Sequence, residues 1–154
     1  MAIPLRLDLF HILQDAHRLT RRLESAAYKA IETAERARRA DLEARGIIRR
    51  RDRPLNTTVP LPQAELEEDQ AIAAFDDWYW LLGEIRQALE PITPTHQVVS
   101  GAETKTTLET VLELLREICH SDVMAFAAKV VRSRILLAAH SLASQSPLTN
   151  DRSD

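Results

Sequence analysis

The side chains of this sequence that are equipped for chemistry are scattered. Of five histidines, His11 and His17 lie six residues apart, on opposite faces of any helix, whereas metal pairs on helices use spacings of three or four. His96, His120 and His140 fall in other segments. Glu117 and His120 make one Glu-x-x-His pair, but a di-metal carboxylate site in a helical bundle needs two. Asp76 and Asp77 are adjacent, so on a helix their carboxylates diverge by about 100° and do not converge on one ion. Cys119 is the single cysteine, which excludes an internal disulfide and the usual cysteine-based zinc sites. It reads as a small apolar helix residue. The glycines Gly46, Gly83 and Gly101 form no phosphate-cradling loop, and no serine sits in a nucleophile elbow. No catalytic residue, metal site or cofactor is expected from these patterns.

The arginines are the exception. Arg45, Arg49, Arg50, Arg51 and Arg53 place five guanidinium groups in nine residues, with Arg36, Arg38 and Arg39 just upstream. Cations are favoured at a helix C-terminus, but five exceed what capping requires. The planar guanidinium fork suits phosphate, so Arg38, Arg39, Arg45, Arg49, Arg50, Arg51 and Arg53 are candidate DNA-backbone contacts. A solvated charge run is the alternative. No aromatics interleave with the run, so base stacking is not indicated. The net charge of −3 hides a polarity. Residues 1–53 carry 13 Lys/Arg against 8 Asp/Glu, and residues 54–154 carry 7 against 15. Either one half meets a polyanion or the two halves attract each other.

The elements that position these groups are helices. Ala, Leu, Glu and Arg dominate the composition, which suits long helices. Leu9, Leu13, Ala16, Leu19, Leu23, Ala27, Ala30, Ala34 and Ala37 recur in steps of three and four, predicting one helix of about 36 residues that needs a long antiparallel or coiled-coil partner. A homo-oligomer pairing through this helix is one such arrangement. Gly46, Pro54, Pro60 and Pro62 mark a linker over about 46–63. A second helix is expected from near Gln63, with Glu65, Glu67, Glu68 and Asp69 in its first turns. Its inner face would be Leu66, Ile72 or Ala73, Phe75, Trp78 or Tyr79, Leu82, Ile85 and Leu89. Trp78-Tyr79-Trp80 reads as a core aromatic cluster beside solvated carboxylates, or as a partner-binding patch. Ser100-Gly101-Ala102-Glu103 has capping-box spacing and opens a third helix along Leu108, Val111, Leu112, Leu115, Ile118 and Cys119. The pattern then breaks at 120–122, where Ser121 makes a good cap, or continues through Val123, Phe126, Ala127 and Val130. The expectation is an all-α fold of three or four helices, as an antiparallel bundle or helical hairpin. A short extended lead-in (1–8), a helical domain (9–145) and a disordered tail (146–154) complete it. Lys129, Arg132 and Arg134 interrupt the most apolar stretch, which argues against a membrane span. The lone thiol and the lack of a signal-peptide pattern suit the cytoplasm.

Leu7-Asp8-Leu9-Phe10-His11-Ile12-Leu13-Gln14-Asp15-Ala16, running into a long basic helix, resembles a stretch of bacterial transposases of the ribonuclease-H-like, three-carboxylate (DDE) class. The motif positions are Asp8, Phe10 and His11. Residues 77–91, Asp77-Trp78-Tyr79-Trp80 through Glu90-Pro91, are similar to the helical insertion of that family. The resemblance implies a short strand passing into the helical region, DNA transposition as the setting, and catalytic carboxylates lying outside this segment. It also implies a divalent metal such as Mg only in a full-length transposase. On this reading the chain is a truncated helical module contributing DNA-backbone contact or assembly, and not an enzyme by itself. A helical scaffold or oligomerisation protein with no nucleic-acid role is the alternative.

Overall fold

The computed structural model describes residues 3–49, 59–89, 101–118 and 120–133, with side chains from residue 10 onward. Among them are four helices and no strand: α1 (Ile3–Ala44), α2 (Leu61–Leu89), α3 (Gly101–Glu117) and α4 (Ser121–Arg132). The all-α expectation holds. The extended lead-in does not, because residues 3–8 belong to α1. Pro4 falls in the first helical turn, where its missing N–H removes no intrahelical hydrogen bond and its fixed φ is already helical. The expected tail at 146–154 lies outside the described residues.

Helix α1 ends at a Schellman turn. Gly46 takes φ 71°, its N–H donates to the Glu43 carbonyl (3.2 Å), and the Ile47 N–H donates to the Leu42 carbonyl (3.0 Å). Only glycine takes that left-handed conformation without a Cβ penalty. The expected linker is shorter at its far end, since α2 begins at Leu61. The Pro60 carbonyl accepts from the N–H groups of Gln63 (3.1 Å) and Ala64 (3.0 Å), which starts the helix. Pro62 then sits among the first residues, whose N–H groups have no intrahelical acceptor. Prolines that read as a barrier to helix thus serve as its entrance.

The chain divides into two compact units, residues 17–79 and residues 1–16 with 80–154. The first is a hairpin of α1 from His17 onward and α2 as far as Tyr79. Leu19, Leu23, Ala27, Ala34 and Ala37 are buried on α1, as the periodicity requires. On α2 the inner face departs from the expected one at its start, while Trp78, Leu82 and Ile85 are buried as expected. Ala64 and Glu68 face inward, while Leu66 is 56 % exposed. Ala34, Ala37 and Ala64 form one buried cluster with Val59 and Leu61 packed against it. Small side chains there permit the close approach that Leu66 would block, and Glu68 turns inward to meet an arginine. Trp78 is 0 % exposed and its indole N–H donates to Thr20 Oγ1 at 2.9 Å, so the largest core side chain keeps its one polar group satisfied. Its neighbour Tyr79 is 59 % exposed, and Trp80 is exposed as well. The expected core aromatic cluster is therefore one buried tryptophan.

In the other unit α3 packs on α4. Leu108, Val111, Leu112, Leu115 and Ile118 are buried on the first, and Val123, Phe126, Ala127 and Val130 on the second. The helical pattern does break, but the cap is His120 and not Ser121. His120 is extended (φ −137°, ψ 124°), and its Nδ1 accepts from the Asp122 N–H at 3.3 Å. An imidazole nitrogen here does the work usually given to a serine or aspartate oxygen.

Thr20→Val keeps shape but removes the acceptor for the Trp78 N–H. It should lower the unfolding free energy by about 1–3 kcal/mol, whereas Thr20→Ser, which keeps the oxygen, should cost less. Urea unfolding followed by Trp fluorescence and by circular dichroism checks both.

Candidate nucleic-acid interface

The arginines singled out in the sequence lie along the last turns of α1 and just beyond it. The structure gives most of the described ones an intramolecular carboxylate. Arg36 pairs with Glu32, one turn before it. Arg39 Nε lies 3.5 Å from Glu43 Oε1, an oxygen that is buried and accepts no hydrogen bond. Arg45 Nε lies 2.8 Å from Asp41 Oδ2. These are helical i,i+4 pairs, each worth about 0.3–0.5 kcal/mol when exposed. They also place cations beside Asp41 and Glu43, two carboxylates in the last turn of α1 that the helix dipole disfavours.

Arg38 is different in kind. Its guanidinium meets Glu35 on its own helix (Nη1 to Oε1, 3.1 Å), Glu65 on α2 (Nε to Oε1, 3.2 Å) and Glu68 through Nη2. The fork geometry of arginine allows one cation to serve three carboxylates, which a lysine ammonium does less well. Hydrogen bonding to Glu68, then to Glu65, holds the Arg38 pKa above its ordinary value, so the group stays charged throughout the accessible pH range. Glu68 is nearly buried, and Arg38 is the cation that offsets the cost of placing a carboxylate there. The contact joins the basic half of the sequence to the acidic half. At this point the two halves attract each other.

Arg38 is thus a structural pin of the hairpin, with little capacity left for phosphate. Arg39 and Arg45 have carboxylates close by. Arg49 is exposed beyond the Schellman turn. Arg50, Arg51 and Arg53 lie outside the described residues. Of the family-motif positions, Asp8 is on α1 with its side chain not described, and the strand implied before Phe10 and His11 is helix. Phe10 and His11 are exposed and meet edge to face, with ring centroids 5.8 Å apart.

A second place brings titratable groups together. In the unit that holds residues 1–16, His11, Ile12, Lys129 and Ser133 line an open cleft of about 230 Å³. Lys129 on α4 pairs with Asp15 on α1, one turn along from His11. Sequence reading missed this pair, because 114 residues separate its members and no local spacing marks it. The Trp78–Thr20 bond was missed for the same reason. Asp76 and Asp77 are exposed, and among the described residues no group of three or more His, Cys, Asp or Glu side chains is arranged to hold a metal ion. No described helix is long and apolar enough to cross a membrane. Comparison with known proteins found no matching family model, no similar curated protein and no similar solved structure.

Arg38→Met should lower the urea midpoint, because it leaves Glu68 without its cation, and should leave affinity for duplex DNA unchanged at a temperature where the variant is folded. A loss of DNA affinity with an unchanged midpoint would reverse the assignment of Arg38 as a structural pin.

Proposed function

We propose that this chain is a helical assembly module, a protein whose work is to associate through the outward faces of its helices. The observation that carries the reading is the exposure of large apolar side chains on the hairpin. Tyr28 on α1 is 66 % exposed and Tyr79 on α2 is 59 % exposed, and Phe75 lies one turn from Tyr79 with ring centroids 5.9 Å apart. A two-helix hairpin buries one stripe per helix, so further apolar side chains have no interior of their own to enter. The seam itself is alanine-rich, and alanine buries little area per residue. Association that covers Tyr28 and Tyr79 adds the burial that the seam lacks.

The helical signal and the thermal midpoint should both rise with protein concentration, and sedimentation should show a reversible monomer–oligomer equilibrium in the micromolar range. A single monomeric species over the whole range, with an unchanging midpoint, sinks the proposal.

The second reading is a transposase-related module contacting the DNA backbone. It is favoured by Arg49, exposed past the end of α1 at the start of the Arg49–Arg53 run. On that reading the chain binds arbitrary duplex DNA with an affinity that falls steeply as salt rises. Replacing Arg49, Arg50 and Arg51 by glutamine would flatten the salt dependence by about 2–3 units of slope, at about 0.9 per phosphate contact. Absence of binding at low salt removes this reading and leaves the first intact.

A further inference from the structure

The assembly reading leaves open which surface associates and in what geometry. Each helix of the hairpin has a row of residues that directly follow its core residues, displaced from them by about 100°. On α1, Arg21 follows the half-buried Thr20 and Tyr28 follows the buried Ala27. On α2, Ile72 follows the half-buried Ala71, Asp76 follows the half-buried Phe75, and Tyr79 follows the buried Trp78. The local two-fold relating two antiparallel helices is perpendicular to their common plane. A step of the same sign from the facing rows therefore leads to the same side of the hairpin on both helices. Tyr28, Ile72 and Tyr79 share one side with Arg21 and Asp76.

From these positions we infer that a second copy of this chain packs on that side, forming a four-helix dimer in which α1 of one copy lies against α2 of the other. The inference rests on the assembly reading and makes its surface specific. Charge chooses the arrangement. Residues 61–79 contain no Lys or Arg but six carboxylates, of which Glu65, Asp69 and Asp76 lie in the row concerned. A two-fold axis that set α2 on α2 would oppose these acidic rows with no cation between them. An axis parallel to the helices sets α1 on α2 instead, antiparallel, at the same level in both copies.

The level is fixed by contacts inside the hairpin. Thr20 is bonded to Trp78, and Ala34 clusters with Ala64. Residues of α1 and α2 whose numbers sum to about 98 therefore stand side by side, and the parallel two-fold preserves that level across the interface. Arg21 of one copy then meets Asp76 of the other, and Tyr28 falls between Asp69 and Ile72. Glu24, one turn from Arg21, would also approach that aspartate, so the cation at position 21 is what makes the contact favourable. The two-fold repeats the Arg21–Asp76 ion pair at two symmetric places, each set between the apolar side chains of the same rows.

Sedimentation velocity on the full chain, over a concentration series in low salt, tests this. The chain should be dimeric, and Arg21→Asp or Asp76→Arg should each raise the dissociation constant by about tenfold or more. The double variant, with the charges exchanged, should recover most of the loss. Circular dichroism confirms that each variant is folded, and Tyr28→Ser, which removes apolar contact without changing charge, must also weaken the dimer. A dimer indifferent to either reversal, or reversals that the exchange does not rescue, overturns this geometry while leaving assembly in place. A chain that is monomeric throughout overturns both.

Discussion

The hairpin of residues 17–79 depends on how closely two backbones approach at Ala34, Ala37 and Ala64. Side chains this small let helices pack near the short end of the usual interaxial range of about 8–10 Å. The approach brings Arg38 within reach of two carboxylates on α2, and it brings the Trp78 ring into the interface with Thr20 at its N–H. The displaced start of the α2 inner face follows from the same constraint. With Ala64 at the contact and Glu68 needed by Arg38, Leu66 is left outside. A seam built this way gains specificity from polar groups and comparatively little from apolar area.

That division explains the fate of the arginines from Arg36 to Arg45. Arginine was the residue type that pointed outward to a polyanion, and the charge polarity between the two parts of the sequence pointed equally to an internal attraction. Arg38 realises the second possibility. Arg36, Arg39 and Arg45 each stand beside a carboxylate on their own helix. An arginine count by itself overstates the positive surface, because Glu32, Asp41 and Glu43 sit one helical turn from the guanidinium groups that neutralise them.

The helices were legible in the sequence because the step of three and four is local: Leu19, Leu23, Ala27, Ala34 and Ala37 are buried as their spacing requires. The break before α4 was only one of two readings the helical phase allowed, and its cap is His120, an imidazole that composition rules do not favour. The start of α2 was misplaced because a proline within the first turn of a helix and a proline that stops one look alike in one dimension. The cross-helix pairs were out of reach. Nothing in the vicinity of Thr20 names Trp78, and nothing near Asp15 names Lys129, until antiparallel packing has set their levels. Reading Tyr79 and Trp80 as core failed for a related reason, since a run of three aromatics has room for only one of them on an inner face.

An alanine seam is smooth. Its bumps are nearly uniform, so two such surfaces slide along one another with little change in fit, and apolar packing alone does not decide where they stop. Thr20–Trp78 and Arg38–Glu68 lie at well-separated points along that seam and act as dowels. A slip of one helical turn would carry the partners about 5.4 Å apart, beyond the reach of any hydrogen bond. The alignment of the hairpin is therefore stored largely in these polar or amphipathic side chains, while the alanines store only its spacing. Drift among the alanines changes how tightly the helices sit, and drift at Thr20, Arg38, Glu68 or Trp78 changes which residues stand opposite which.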